Sequence, residues 1–68
     1  MKDYLEKLKE LREDNDYKQK EIAHILGISQ NTYSQYELGR RKMPIEDLRK
    51  LCIFYKVSAD EILDIKSS

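Results

Sequence analysis

Gln19-Lys20-Glu21-Ile22-Ala23-His24-Ile25-Leu26-Gly27-Ile28-Ser29-Gln30-Asn31-Thr32-Tyr33-Ser34-Gln35-Tyr36-Glu37 is the stretch that decides the fold. Ile22, Ala23, Ile25 and Leu26 recur at helical spacing, so they form the apolar side of one short helix opening near Lys18. Gly27 stands where a left-handed C-cap is wanted. Ser29 is a good N-cap for a second helix from Gln30 to about Leu38. Tyr17 precedes Ile22 by the spacing of a hydrophobic staple, with Lys18 as the N-cap between them. Lysine offers no acceptor for the first backbone N–H groups, which makes that start a soft one.

The same periodicity continues outward. Upstream, Leu5, Leu8 and Leu11 mark a first helix with Tyr4 beside them, and Asp14-Asn15-Asp16 breaks it with turn-favouring residues. Downstream, Gly39 and Arg40-Arg41-Lys42 read as a loop. Pro44 suits the first turn of a fourth helix, whose apolar stripe is Ile45, Leu48, Leu51, Cys52 and Tyr55. Ser58-Ala59-Asp60-Glu61 reads as a capping box opening a last helix with Ile62, Leu63 and Ile65. Two glycines, one proline and no alternating apolar runs leave little room for a sheet. The expectation is a compact all-α domain of five helices, one unit over residues 1–68 without repeat or linker.

A chain of 68 residues buries only about 60% of the surface its unfolded form exposes. Cys52 is the one cysteine and His24 the one histidine. That excludes an intrachain disulfide and a zinc site built on Cys and His. The lone thiol fits a reducing interior. No apolar run reaches the roughly 18 residues of a membrane span, and charges at Lys2, Asp3 and Glu6 interrupt what would be a signal peptide. A soluble, unexported, cytoplasmic protein is expected. Thirteen basic and thirteen acidic residues cancel, which argues against a bulk polycation. They are unevenly placed, however. Residues 18–42 carry five basic side chains against two acidic, while residues 1–17 carry four against six. A basic middle between acidic ends suits an anionic partner.

The third helix carries most of the functional information. With Gln30 at 0° and about 100° per residue, Ser34 falls at about 40°, Asn31 at about 100° and Gln35 at about 140°. Tyr33 and Tyr36 fall on the opposite side. Four uncharged amides and hydroxyls on one arc are unusual in a chain that is 38% charged. They are the groups of direct base reading: Asn and Gln pair bidentately with adenine in the major groove, and Ser bonds to several bases. Arg40, Arg41 and Lys42 would supply charge for flanking phosphates.

The stretch from Gln19 to Glu37 resembles the helix-turn-helix of the lambda-repressor-like (XRE-type) DNA-binding domains, and the likeness extends over about residues 5–64. The resemblance implies a helix-turn-helix at about residues 18–38, made by the second and third helices, with Ala23 letting them pack closely and Gly27 taking the turn. Ile22, Leu26, Ile28, Tyr33 and Tyr36 stand at the family's apolar positions. Position by position, Gln30, Asn31 and Gln35 match base-contacting sites with Ser34 as a secondary one, and Thr32 joins Lys18, Arg40, Arg41 and Lys42 at the phosphates. Gln19 matches a glutamine that touches a phosphate and supports the first base reader. Arg12 and Glu37 match a charged pair that ties the first helix to the end of the recognition helix. Three residues depart from the pattern. Lys18 replaces a Ser or Thr cap. Tyr33 replaces Ile or Val, so its hydroxyl is expected to reach water, a phosphate or a polar partner. Ile53 stands where relatives are commonly polar and, with Phe54, forms a candidate apolar patch.

The functional expectation is a sequence-specific double-stranded DNA-binding transcriptional regulator, a repressor acting as a homodimer. One small domain reading about two base pairs binds weakly, whereas two on half-sites a helical turn apart multiply affinity and specificity. Ile53, Phe54 and Ile65 are the candidate dimer contacts. The partner is an operator, and no cofactor, metal, membrane or small-molecule effector is expected. The alternative is an antitoxin-like or adaptor protein working mainly through protein–protein contacts. An enzyme is not expected, since no nucleophile–base constellation or phosphate-cradling glycine loop is present. His24 reads as a surface residue and Cys52 as an inert thiol on the apolar stripe.

Overall fold

The computed structural model describes residues 3–63, and the five helices fall where the periodicity puts them. They are α1 (Tyr4–Asp14), α2 (Gln19–Leu26), α3 (Gln30–Glu37), α4 (Ile45–Tyr55) and α5 (Ala59–Leu63). Their starts are set by side-chain acceptors. The Asp3 carboxylate accepts from the Glu6 N–H at 2.9 Å, Ser29 Oγ from the Thr32 N–H at 3.1 Å, and Ser58 Oγ from the Glu61 N–H at 3.1 Å. Lys18 has nothing to accept with, and the Glu21 carboxylate supplies the other half of the capping box by taking the Lys18 N–H at 2.9 Å. Pro44 lies at the N-cap of α4, one residue ahead of the first turn expected for it.

Four helices end in one device. One of the first two residues beyond the helix turns left-handed, at Asp16 (φ 59°), Gly27 (71°), Gly39 (73°) and Lys56 (60°). The next N–H then reaches back into the helix: Tyr17 to Arg12 O at 2.9 Å, Ile28 to Ala23 O at 3.0 Å, Arg40 to Gln35 O at 2.9 Å and Val57 to Cys52 O at 2.9 Å. This is the Schellman arrangement. Gly27 announces it in the sequence. Asp16 and Lys56 adopt it despite carrying a β-carbon.

The helices close on a core of Leu8, Ile22, Ala23, Leu26, Tyr33, Tyr36, Met43, Leu48, Leu51, Cys52 and Ile62. Within it α3 packs against α1 and α2, while α5 packs against α1 and α4. The expected stripe of α4 is corrected at its first residue: Ile45 is 73% exposed. The buried arc of α4 runs through Leu48, Leu51 and Cys52. Ile45 precedes that arc, at the first residue of the helix, on the rim of the groove between α4 and α5. Phe54 is corrected in the other direction. It is half-buried, with its ring centroid 5.2 Å from those of Tyr17 and Tyr55, because a large ring at the edge of the stripe swings onto its aromatic neighbours. Ile53, which is not part of the apolar stripe of α4, is 71% exposed. Ile65 lies outside the described residues. No helix among the described residues is long and apolar enough to cross a membrane.

Candidate nucleic-acid interface

Helix α3 presents two unlike faces. Tyr33 and Tyr36 are buried on one side, while Gln30 and Asn31 are exposed and Ser34 and Gln35 half-exposed on the other. The four side chains grouped by angle therefore share an accessible face. Ser29, at the N-cap, also donates its hydroxyl hydrogen to Thr32 Oγ1 at 2.9 Å, which leaves the half-buried Thr32 hydroxyl its own hydrogen to donate.

Arg40, Arg41 and Lys42 are exposed beyond the C-terminus of α3, and Lys18 is exposed at the start of α2. The backbone N–H groups of Arg40 and Arg41 both return to the Gln35 carbonyl, at 2.9 and 3.3 Å. The start of the basic loop is thus pinned to the same turn of helix that carries Gln35.

The recognition-type helix is anchored from behind by a buried polar network. Arg12 Nε donates to Glu37 Oε2 at 2.6 Å and Arg12 Nη2 to Glu37 Oε1 at 3.2 Å. Nη1 of Arg12 donates to the Tyr17 carbonyl at 2.9 Å. The two charged side chains are only 11% and 5% exposed. Gln19 donates one amide N–H to Glu37 Oε1 at 2.9 Å, which ties the start of α2 into this network. The buried carboxylate is thereby satisfied by an amide donor as well as by the guanidinium. The Tyr33 hydroxyl is likewise enclosed and not open to water or a phosphate. It lies near Glu37 without completing a hydrogen bond of good geometry.

The ionisation of these groups follows from the same contacts. Burial by itself would push the Glu37 carboxyl up, but hydrogen bonds from Arg12 and Gln19, with the Tyr33 hydroxyl close by, outweigh it and hold Glu37 below the usual carboxylate range. Hydrogen bonding to Glu37 raises Arg12 against the opposing effect of its burial. Burial, reinforced by Glu37, drives the Tyr33 phenol far above its ordinary value, so it stays neutral. Burial also pushes up the Cys52 thiol, which is free. Among the described residues no group of three or more His, Cys, Asp or Glu side chains is placed to hold a metal ion.

A family model described as helix-turn-helix matches residues 8–62 of the chain. The chain belongs to that XRE-type helix-turn-helix family. Its fold is the family's lambda-repressor-like all-α fold, with α2 and α3 as the helix-turn-helix. Three curated relatives mark out the family around this domain. It is 42% identical over 57 residues to the HTH-type transcriptional regulator ImmR of Bacillus subtilis, covering 84% of this chain and 45% of that protein. It is 38% identical over 56 residues to the antitoxin PezA of Streptococcus pneumoniae, covering 82% of this chain and 35% of that protein. It is 37% identical over 57 residues to the cryptic phage CTXphi transcriptional repressor RstR of Vibrio cholerae, covering 84% of this chain and 51% of that protein. The chain thus spans about half the length, or less, of these relatives. No solved structure matches it.

Sequence reasoning missed one exposed residue on the face of α3 and two buried residues elsewhere. Leu38, at the C-cap of α3, is exposed beside the base-reading candidates. Met43 is buried in the loop before α4, and Asp47 is buried in the first turn of α4. The helical-wheel projection used for Gln30 to Gln35 would have flagged Leu38 had it been carried one turn further. Nothing in the sequence signals Met43, which lies outside any periodic run.

Proposed function

We propose that this domain is a sequence-specific, double-stranded DNA-binding transcriptional repressor, acting as a homodimer and doing no covalent chemistry of its own. The observation that carries the reading is the accessible, uncharged face of Gln30, Asn31, Ser34 and Gln35 on a helix locked from behind by Arg12, Gln19 and Glu37. In this reading α3 enters the major groove and the amides pair with base edges. The basic loop Arg40–Lys42 and Lys18, with Thr32, hold the flanking phosphates. Fixed geometry matters, because bidentate pairing tolerates little movement of the amide. The relatives named as a transcriptional regulator and a phage repressor support this assignment.

The homodimer follows from the limited reading length of one helix. Its surface is the α4–α5 face, where Ile45, Ile53 and Leu63 stand exposed around a groove of about 210 Å3 floored by Leu48 and Cys52. Phe54, committed to Tyr17 and Tyr55, drops out of it, and Ile45 and Leu63 take its place.

The test is selection of bound sequences from a random DNA library at a stated salt concentration, with the Gln30→Ala, Asn31→Ala and Gln35→Ala variants beside the wild type. A single enriched half-site, repeated about one helical turn apart and relaxed by the variants, is the expected result. Three variants with full sequence discrimination would sink the base-reading assignment. A second reading, an antitoxin-like protein acting by protein contacts, is favoured by the 38% identity to an antitoxin. It predicts a stoichiometric protein complex and no enriched sequence.

A further inference from the structure

The exposed large apolar side chains among the described residues are Ile25, Leu38, Ile45, Ile53 and Leu63. Four of them border grooves. Ile25 lies with Tyr17 and Phe54 along a groove between α2 and α4, and Ile45, Ile53 and Leu63 edge the groove between α4 and α5. Leu38 belongs to neither group, and it is 62% exposed.

Its place on α3 is informative. Leu38 is the C-cap, with φ −81° and ψ −6°, so the helical projection still holds there. Eight residues beyond Gln30, it falls at about 80°, between Ser34 at about 40° and Asn31 at about 100°. It therefore stands on the same arc as the base-reading candidates, one turn further along. Its backbone is fixed as firmly as theirs. The Leu38 N–H donates to Ser34 O at 3.0 Å, and the Gly39 and Arg40 N–H groups close the helix end on Tyr36 and Gln35.

Building on the base-reading function, we propose that Leu38 is a specificity-determining residue whose side chain meets the 5-methyl group of a thymine. Leucine has no donor, so it adds nothing at a phosphate, a task the adjacent Arg40 and Arg41 are equipped for. On a groove-facing arc, the base feature that an aliphatic side chain distinguishes is the thymine methyl, which cytosine, adenine and guanine lack. From Gln35 to Leu38 the helix rises about 4.5 Å, against about 3.4 Å per base step. The thymine thus lies about one base step beyond the pair facing Gln35, toward the end of the site held by the basic loop.

The test uses the full chain and the sequence enriched by selection, with each thymine replaced in turn by deoxyuridine, which removes only the methyl group. Binding is measured at fixed salt for wild type, Leu38→Ala and Leu38→Met, with thermal melts confirming that the variants fold. At one thymine the wild type should lose about fourfold in affinity, the worth of one buried methyl. Leu38→Ala should lose nothing there, Leu38→Met should keep most of the effect, and Gln35→Ala should keep all of it. The proposal is overturned if no thymine responds, or if Leu38→Ala responds as the wild type does. It is also overturned if Leu38→Ala weakens every sequence alike while the uracil effect persists, which would make Leu38 a sugar–phosphate contact. A selection that enriches no sequence removes the base-reading function itself, and with it any role for Leu38 in it. That failure is distinct from an enriched site indifferent to its thymine methyls.

Discussion

Arg12 and Glu37, 25 residues apart, meet in a two-point contact at 2.6 and 3.2 Å with both side chains nearly sealed from solvent. The contact joins the last turn of α1 to the last residue of α3, so it fixes the helix carrying the polar face against the first helix. A surface pair of the same residues would contribute under about 1 kcal/mol. Burial changes the arithmetic, because removing one partner strands the other charge in a low-dielectric site.

Glu37→Ala should accordingly destabilise the domain by roughly 3–5 kcal/mol, and the Arg12→Ala, Glu37→Ala double variant by clearly less than the sum of the singles. A double-mutant cycle in denaturant measures this. Coupling indistinguishable from zero would mean that the two groups do not depend on each other.

The same pair predicts an acid dependence. Glu37 is held below its ordinary value of 4.5, so its share of the stability is complete above that value. It is lost as pH falls through the lowered folded value. Wild type should lose stability steeply over this acid range, and Glu37→Gln less steeply, although Glu37→Gln is the less stable protein near neutrality. Parallel stability curves for the two proteins below about pH 4.5 would contradict the assignment.

Phosphate and base contacts should separate experimentally. Arg41→Ala should weaken binding to all sequences alike and lower the salt slope by roughly one unit. Gln35→Ala should cost about 1–3 kcal/mol on the best site and relax preference at one position. An Arg41→Ala protein that prefers a different sequence with an unchanged slope would reverse the two roles.

Most of the fold is legible from local chemistry. Ile22 and Leu26, Gly27, Ser29 and Ser58 each state a helix face or end in a form that no tertiary contact had to override. The polar arc of α3 is legible for the same reason, since angle on a helix follows from spacing alone. What escapes depends on neighbours distant in sequence. Whether Ile45 or Phe54 is covered depends on which other elements reach the opposite sides of α4 on which the two residues stand. The Gln19 amide goes to Glu37 because α3 brings a buried carboxylate beside it. The ends at Asp16 and Lys56 escape because their residue types do not advertise a left-handed turn.

Ile53→Glu should produce a folded monomer with much weaker operator binding, because Ile53 is 71% exposed and its loss leaves the core intact. Sedimentation and circular dichroism measured together check this. A variant that stays dimeric would move the self-association surface away from the α4–α5 face, and an unfolded one would contradict the exposure of Ile53.

Lys56 offers a separate test of how the helices end. A β-carbon in the left-handed region costs roughly 1–2 kcal/mol. Lys56, exposed at φ 60°, bears that cost so that the Val57 N–H can reach the Cys52 carbonyl at 2.9 Å. Lys56→Gly removes the strain but gives the unfolded chain more freedom, so the net gain should be about 0.5–1 kcal/mol. Asp16→Gly should gain less, since aspartate tolerates this conformation better. Gly27→Ala should run the other way. A β-carbon there meets nothing within 4 Å, so its cost is the backbone conformation alone, about 1 kcal/mol or somewhat more. Denaturant melts of the three variants give the comparison. If Lys56→Gly is destabilising while Gly27→Ala behaves as stated, then the Lys56 side chain itself stabilises the junction of α4 and α5 by more than its backbone strain costs.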